Sequence, residues 1–308
     1  DVLVSAELKF GARDFLFVDD RPMTFGEVFA AGRRLAVHLR HQHGVKAGDH
    51  VGLSMRNRPE WFIAYAALAR LGAVAVLLNS RDSAEQSAYS ATAVGCGLVI
   101  ADTERAARLS QGGFAGRLLI VDEPRGEFET IGEEDPGDVE AAQVAPDAAA
   151  VILFTSGTSG RPKGAVLTHR NLCNMVMTTR FGAAHNLATA ARRAGVEVSA
   201  LPTGTIRPST LMVFPMFHIS GVSVFFGTLI GGGTLHFMHR WDARRALEMI
   251  ERRQIAAVSG PPLVLDDLVS QPDAGERLTS LRGVVVGGQA TPANLVQPLD
   301  EVWRHQEA

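Results

Sequence analysis

Six apolar residues run without a break from Ala73 to Leu78, and a helix-period segment stands on each side of them. An apolar run of that length, with no polar alternation, is a strand buried on both faces, as happens when helices cover both sides of a parallel sheet. The same grammar recurs through the first 122 residues. Thr24 and Glu27 form a T-x-x-E capping box that opens an amphipathic helix through Val28, Leu35 and Leu39, and Gly44 supplies a left-handed cap beyond its end. A short strand is expected at 50–55. Asn57 to Glu60 repeats the capping signal for a helix ending at Gly72, and Ser83 to Gln86 starts a third helix ending at Gly95. Strands at 97–101 and 118–121 complete the half. Helix and strand alternating through short loops require right-handed crossovers and therefore a mostly parallel sheet.

Asp122 to Asp147 interrupts this alternation with ten acidic residues against one basic residue, Arg125. Such a charge run reads as an exposed connection. The alternation then restarts. A strand is expected at 149–154, followed by a glycine-rich loop and a helix from about Thr168. Further strands are expected at 211–214, 234–238, 256–259 and 283–286, with helices near 220–229, 243–253 and 262–269. The stretch 180–208 reads as irregular. The expected organisation is an α/β fold of two αβ subdomains, residues 1–147 and 148–308, each a mostly parallel, helix-flanked sheet, with some elements exchanged between them.

Several classes of function are excluded by composition. At 308 residues and 46% apolar, the chain has room for about two domain-sized units and is too hydrophobic for disorder. Thirty basic against 33 acidic residues leave a net charge of -3, unlike the strongly basic footprint of a nucleic-acid binder. The richest apolar stretch, Trp61 to Leu78, is broken by Arg70, so no membrane span is expected. No basic-then-apolar leader pattern opens the chain. Cys96 and Cys173, far apart in apolar stretches, read as buried free thiols of a cytoplasmic protein.

The chemistry concentrates in Val151 to Leu172, VILFTSGTSGRPKGAVLTHRNL. A buried strand ends at Phe154 and opens into Thr155, Ser156, Gly157, Thr158, Ser159 and Gly160. Glycines let successive N–H groups turn toward one point and the hydroxyls add donors, which makes an anion nest suited to polyphosphate. Lys163 adds a positive charge. It is one of only three lysines, with Lys9 and Lys46; the other 27 basic residues are arginine. A generic Ser/Gly surface loop would share much of this composition. A Walker-type loop does not fit, because Lys163 follows Pro162 and precedes Gly164, leaving no hydroxyl where such loops hold magnesium.

The segment TSGTSGRPKG, with its preceding strand and LTHRNL after it, resembles the phosphate-binding signature of the adenylate-forming (AMP-binding) superfamily. Other segments agree in order: RPMTFGEVFAAGRRLA, LARLGAVAVLLN, FPMFHISG and VVVGGQATPANL. The resemblance covers the whole chain, and FPMFHISG favours acyl-CoA synthetases, fatty-acid–CoA ligases among them. It implies an ATP-dependent ligase of a small-molecule carboxylic acid, with CoA as co-substrate and Mg2+ at the phosphates. Thr155, Ser156, Gly157, Thr158, Ser159, Gly160 and Lys163 would grip the β- and γ-phosphates. His218 would serve the carboxylate as the catalytic histidine. Gly287, Gly288, Gln289 and Ala290 would line the adenine site. The family's Tyr-Gly-x-Thr-Glu magnesium motif and its late catalytic lysine have no match in the chain. The expectation is therefore an N-terminal part that does not turn over alone. Two alternatives stay open: a non-catalytic nucleotide- or acyl-binding module, and an acyl-AMP ligase that loads a carrier protein.

Other residues carry weaker signals. Ser220 to Gly231, with Phe225 and Phe226, would suit an acyl tunnel or plain core packing. His38, His41 and His43 have no carboxylate or thiol beside them in sequence, so no metal site is expected there. His236 and His239 read as a strand end. Exposed apolar surface would favour association of copies.

Overall fold

In the computed structural model, which describes residues 2–18, 21–122, 127–131, 139–155, 161–198, 209–238, 240–293, 295 and 297, the strands form two six-stranded sheets. The strands are β1 (Asp14–Val18), β2 (Arg21–Thr24), β3 (His50–Ser54), β4 (Val74–Leu77), β5 (Leu98–Ala101), β6 (Arg117–Ile120), β7 (Ala149–Thr155), β8 (Lys163–Thr168), β9 (Ser209–Met212), β10 (Thr234–Phe237), β11 (Ala257–Gly260) and β12 (Gly283–Val286). The helices are α1 (Val2–Phe10), α2 (Phe25–Gln42), α3 (Pro59–Leu71), α4 (Ala84–Ala93), α5 (Thr103–Gln111), α6 (Glu127–Thr130), α7 (His169–Ala194), α8 (Ile219–Gly231), α9 (Ala243–Arg253), α10 (Pro262–Val269) and α11 (Ala274–Arg277). The chain divides into two compact units. One comprises Phe25–Asn174 and Pro215–Ile219; the other comprises Asp1–Thr24, Met175–Phe214 and Ser220–Ala308.

The first unit holds the sheet β6-β5-β3-β4-β7-β8. Its neighbours are parallel except β7 and β8, which form an antiparallel hairpin. The apolar run at Ala73 to Leu78 becomes β4, buried along its whole length between β3 and β7. Each fully buried Val, Leu or Ile here contributes about 1.5–3 kcal/mol. Helix α3 is buried around nearly its whole circumference from Trp61 to Leu68, and Trp61 stacks on Tyr65 at 5.3 Å. Gly32 lets α2 come close to it: a Cβ there would stand 3.0 Å from the Ala66 Cβ. Gly72 ends α3 in the left-handed conformation, as the sequence predicts.

The second unit holds the sheet β12-β11-β9-β10-β1-β2, parallel except for the β1–β2 hairpin. Its core gathers Leu211, Leu247, Ile250, Val258, Leu265 and Leu281 from β9, α9, β11, α10 and the loop before β12. Phe225 and Phe226 of α8 are core residues: both are buried, and Phe225 packs against Phe15 with ring centroids 6.2 Å apart.

The structure departs from the sequence reading at several points. The two units interleave along the chain rather than meeting at one boundary near residue 147. Residues 14–18 and 21–24 pair as β1 and β2, with β1 also against β10, and β7 and β8 complete the sheet begun by β3 and β4. Residues 163–168, expected as loop, form β8, because a hairpin partner satisfies the outer hydrogen-bonding edge of β7. Residues 180–194, expected to be irregular, continue helix α7; residues 199–208 lie outside the described residues. Helices α1, α5, α6 and α11 stand where the sequence reading places no helix. Helix α5 carries a clear signal, an N-terminal cap in which Asp102 accepts from the Arg105 N–H at 2.9 Å. Cys96 is buried, but Cys173 is exposed on α7.

His236 lies within β10, buried and stacked on Phe17 at 4.9 Å, so it is a core residue; His239 lies outside the described residues. The acidic connection is not wholly exposed. Val139 is buried, and Ala142 donates its N–H to the Arg70 carbonyl at 2.9 Å. Among the described residues no helix is long and apolar enough to cross a membrane.

Candidate functional site

Thr155 and Lys163 face each other across the mouth of the β7–β8 hairpin, paired in the antiparallel register. Val151, Ile152 and Leu153 anchor β7 in the core, while Thr155 at its end is exposed, and Lys163 opens β8 exposed. Gly164 sets how closely β8 lies against the sheet: a Cβ there would come within 2.9 Å of Ile152 Cγ2. The returning limb of the loop is fixed by the Arg161 guanidinium, 5.2 Å above the ring of Tyr89 on α4. Ser156, Gly157, Thr158, Ser159 and Gly160 lie outside the described residues. What the structure establishes is the base of their loop, at the carboxyl-terminal edge of a parallel sheet, where open α/β sheets bind ligands.

The turn carrying His218 docks on the same sheet. Met216 is buried, and its N–H donates to Asn57 Oδ1 at 3.0 Å. The His218 N–H closes the turn on the Pro215 carbonyl at 3.1 Å, and the His218 residue itself is exposed. The sequence suggests Asn57 as a helix cap. Instead Arg58 occupies the cap position of α3 and its side chain makes no cap hydrogen bond. Pro59 opens the helix, and a proline there already has the helical φ and no N–H to satisfy. The Asn57 amide is thereby available to a partner 159 residues away. No sequence pattern signals that pairing.

The position of Asn57 is informative. From β3 the chain passes to β4 on one side, and from β5 to β6 on the other. The reversal places a crevice beyond the carboxyl ends of β3 and β5. The loops after these strands are tied together, since the Arg56 N–H donates to Asp102 Oδ2 at 3.2 Å. Asp102 also pairs with buried Arg105, which donates to the Ser80 carbonyl at 3.0 Å beyond the end of β4. Arg58 forms ion pairs with Glu60 at 2.7 Å and Asp122 at 2.8 Å. Burial pushes the Asp122 carboxyl up, but hydrogen bonds from Thr103 and Arg58 outweigh it and hold the group below its usual range. Strands β3 and β7 are separated by β4 alone, so their ends lie about 10 Å apart at about 4.8 Å per strand spacing. Thr155, Lys163 and the His218 turn therefore share one edge of one sheet.

Gly287, Gly288, Gln289 and Ala290 belong to the other unit. They leave β12, the edge strand, in a turn where Gly288 has a φ of 81°, a conformation that favours glycine. Gly287 packs beside Phe214, and Gly288, Gln289 and Ala290 are exposed. Among the described residues, one group of three His, Cys, Asp or Glu side chains is close enough to share an ion, and it is His38, His43 and Glu127 rather than anything at the hairpin.

Comparison with known proteins identifies the family and the fold. The model of the AMP-binding enzyme family matches residues 6–307. The 2-succinylbenzoate–CoA ligase of Bacillus velezensis is 28% identical over 284 residues, 92% of this chain and 52% of that protein. The 4-coumarate–CoA ligase-like 3 of Oryza sativa is 31% identical over 296 residues, 88% of this chain and 47% of that protein. The chain thus spans about half the length of these relatives. Among solved structures, O-succinylbenzoate coenzyme A synthetase from Bacillus subtilis in complex with AMP superposes with a TM-score of 0.76 at 26% identity. That match covers 98% of this chain and 71% of the other.

Proposed function

The chain belongs to the AMP-binding enzyme family, and from that premise we propose that it forms the nucleotide- and acid-binding part of an ATP-dependent acyl-CoA ligase. The observation that carries this reading is the shared sheet edge: the hairpin mouth with Thr155 and Lys163 stands on the same edge as the His218 turn held by Asn57. In the first half-reaction a carboxylate oxygen attacks the α-phosphorus of ATP. The bond from that phosphorus to the bridging oxygen breaks, and pyrophosphate leaves. Protein groups contribute positioning and charge neutralisation. The Lys163 ammonium lies where it can balance negative charge on the β- and γ-phosphates, and the loop from Thr155 to Gly160 supplies N–H and hydroxyl donors. His218 orients the carboxylate for in-line attack, a gain of proximity rather than of acid–base chemistry. In the other unit, taken by itself, the exposed backbone at Gly288 to Ala290 is assigned to an adenine face by the sequence resemblance. In the second half-reaction the CoA sulfur attacks the acyl carbonyl, AMP leaves, and a thioester results.

The relatives' names favour an aromatic carboxylic acid over a fatty acid as the substrate class. ATP and CoA are intracellular co-substrates, which places the reaction in the cytoplasm. Magnesium, when bound, would neutralise phosphate charge; among the described residues the hairpin mouth, Thr155 and Arg161 to Gly164, offers it no carboxylate. We infer that this chain by itself binds the adenylate and does not form the thioester.

The test is thermal unfolding with non-hydrolysable acyl-adenylate analogues, aryl and fatty, beside AMP. A ligand at 100 times its Kd adds about 2.7 kcal/mol to the native state. The aryl analogue should raise the midpoint more than the fatty analogue or AMP, His218→Ala should reduce that shift, and Lys163→Ala should reduce the shift given by a non-hydrolysable ATP analogue. No shift with any analogue, or equal shifts in both variants and the parent, would overturn the proposal. Thioester formation by the chain alone would refute its inactivity.

A further inference from the structure

The last turn of helix α2 and the residue after it read His38-Leu39-Arg40-His41-Gln42-His43, with no acidic or thiol neighbour in sequence. The fold supplies one from 84 residues away. Glu127, the first residue of α6 in the acidic stretch, brings its Oε1 against both imidazoles: it contacts His38 Nε2, and His43 Nε2 lies at 2.6 Å. The two rings are 5.5 Å apart between centroids, and the three donor atoms all lie within 4.8 Å of one another. The His43 side chain is 9% exposed, that of His38 19% and that of Glu127 41%, so the cluster is enclosed on the helix side and open to solvent on the carboxylate side.

We infer that His38, His43 and Glu127 form a binding site for a divalent transition cation of the zinc class, which fastens the acidic segment after β6 to the end of α2. Two imidazoles and one carboxylate are the donor set of a borderline cation, whereas magnesium and calcium prefer oxygen ligands alone. Bonds of about 2.0–2.2 Å in a tetrahedral arrangement put ligand atoms roughly 3.3–3.5 Å apart. That spread falls between the 2.6 Å contact and the 4.8 Å bound seen here, so small side-chain rotations open the cluster around an ion. His43 Nδ1 is buried with no hydrogen-bond partner among the described residues. The Glu127 carboxylate holds the His43 proton on Nε2 in the ion-free cluster; when an ion binds, that proton shifts to the unpartnered Nδ1 and Nε2 presents its lone pair. The exposed side leaves a fourth position for water.

The turn itself is braced, since Arg117, the first residue of β6, donates to the His43 carbonyl at 2.6 Å. That contact puts the cluster toward the amino-terminal edge of the sheet, away from Thr155 and Asn57 at the carboxyl edge. The site is therefore a fastening and takes no part in acyl transfer, and it stands whether or not the ligase reading holds.

The test uses the full chain stripped with a chelator and then titrated with Zn2+ by calorimetry and with Co2+ by absorption. The expected result is saturable binding of one ion, visible d–d bands of tetrahedral Co2+, and a midpoint of thermal unfolding that rises with Zn2+. Glu127→Gln and His43→Gln should each weaken Zn2+ binding by more than about tenfold, while His41→Ala, on the exposed neighbour, should bind as the parent does. Far-UV circular dichroism of the metal-free variants checks that they fold; should either fail, His38→Gln gives the same reading. Absence of saturable binding by the parent, or unchanged Zn2+ affinity in a folded Glu127→Gln chain, would overturn the assignment.

Discussion

Replacing Asn57 by alanine removes the acceptor for a buried amide. Met216 is 1% exposed, and its N–H has Asn57 Oδ1 as its partner at 3.0 Å. Leaving a buried donor unsatisfied costs about 1–3 kcal/mol. Taking about 2 kcal/mol, and about 2–4 °C per kcal/mol for a unit of this size, the unfolding midpoint should fall by roughly 4–8 °C. Asn57→Asp keeps an acceptor in place and should recover most of the loss. The damage should also be local. Amide exchange at Met216 and His218 should accelerate in Asn57→Ala, because both N–H groups close the same turn. If that turn must be formed for the acyl-adenylate to bind, the same 2 kcal/mol bounds the affinity loss at about thirtyfold. An Asn57→Ala chain whose stability stays within about 0.5 kcal/mol of the parent, with unchanged exchange at Met216, would refute the argument that Asn57 holds the turn.

Three further outcomes follow from the structure. Gly72 has a φ of 68°, and an added Cβ would meet Ala142 Cβ and Val144 Cγ1 at 2.9 Å, so Gly72→Ala should cost about 2 kcal/mol in urea unfolding; an unchanged urea midpoint would contradict this. Burial, helped by the nearby Arg253 charge, pushes the His236 imidazole down to about 3. The unfolded chain takes up a proton near pH 6.5 that the folded chain refuses, so this group's contribution is intact above pH 6.5 and is lost as pH falls toward 3. The loss is about 2 kcal/mol between pH 7 and pH 5, and a His236→Phe chain should show a correspondingly flatter stability profile. Cys173 is exposed, whereas burial pushes the Cys96 thiol up to about 12; a thiol reagent should label one cysteine in the native chain and the second only on unfolding.

Much of the fold is legible because its signals are local. The buried strand at Ala73 to Leu78, the caps at Ser83 and Gly72, and the strand and helices at 283–286, 243–253 and 262–269 depend on apolar runs, capping side chains and glycines within a few residues of one another. Segments whose structure depends on distant partners carry no such local signal. Residues 163–168 look like loop until β7 offers them an edge, and residues 14–24 look detached from any sheet until β10, more than 200 residues later, pairs with β1. The mixed polar sequence of 180–194 lacks a clean apolar stripe and yet continues α7.

The candidate site divides in the same way. The residue types at Thr155, Lys163 and His218, and the glycines at 287 and 288, were legible as chemistry, because a nest, a cation and an imidazole are properties of short segments. Their placement was not, because no local pattern says that β7 and β3 would be two strand spacings apart in one sheet. Asn57 was read as a cap, and only the docked turn at Met216 gives its amide a different partner. The three histidines at 38, 41 and 43 looked unsupported because their carboxylate arrives from residue 127, through a connection the sequence marks only as acidic. By itself the sequence determined periodicity, caps, composition and the chemistry-bearing loop, all of which act over one or two turns of chain. Only the tertiary structure decided which of those groups meet, since strand order, hairpin exchange and buried hydrogen bonds couple residues whose separation along the chain carries no record of their separation in space.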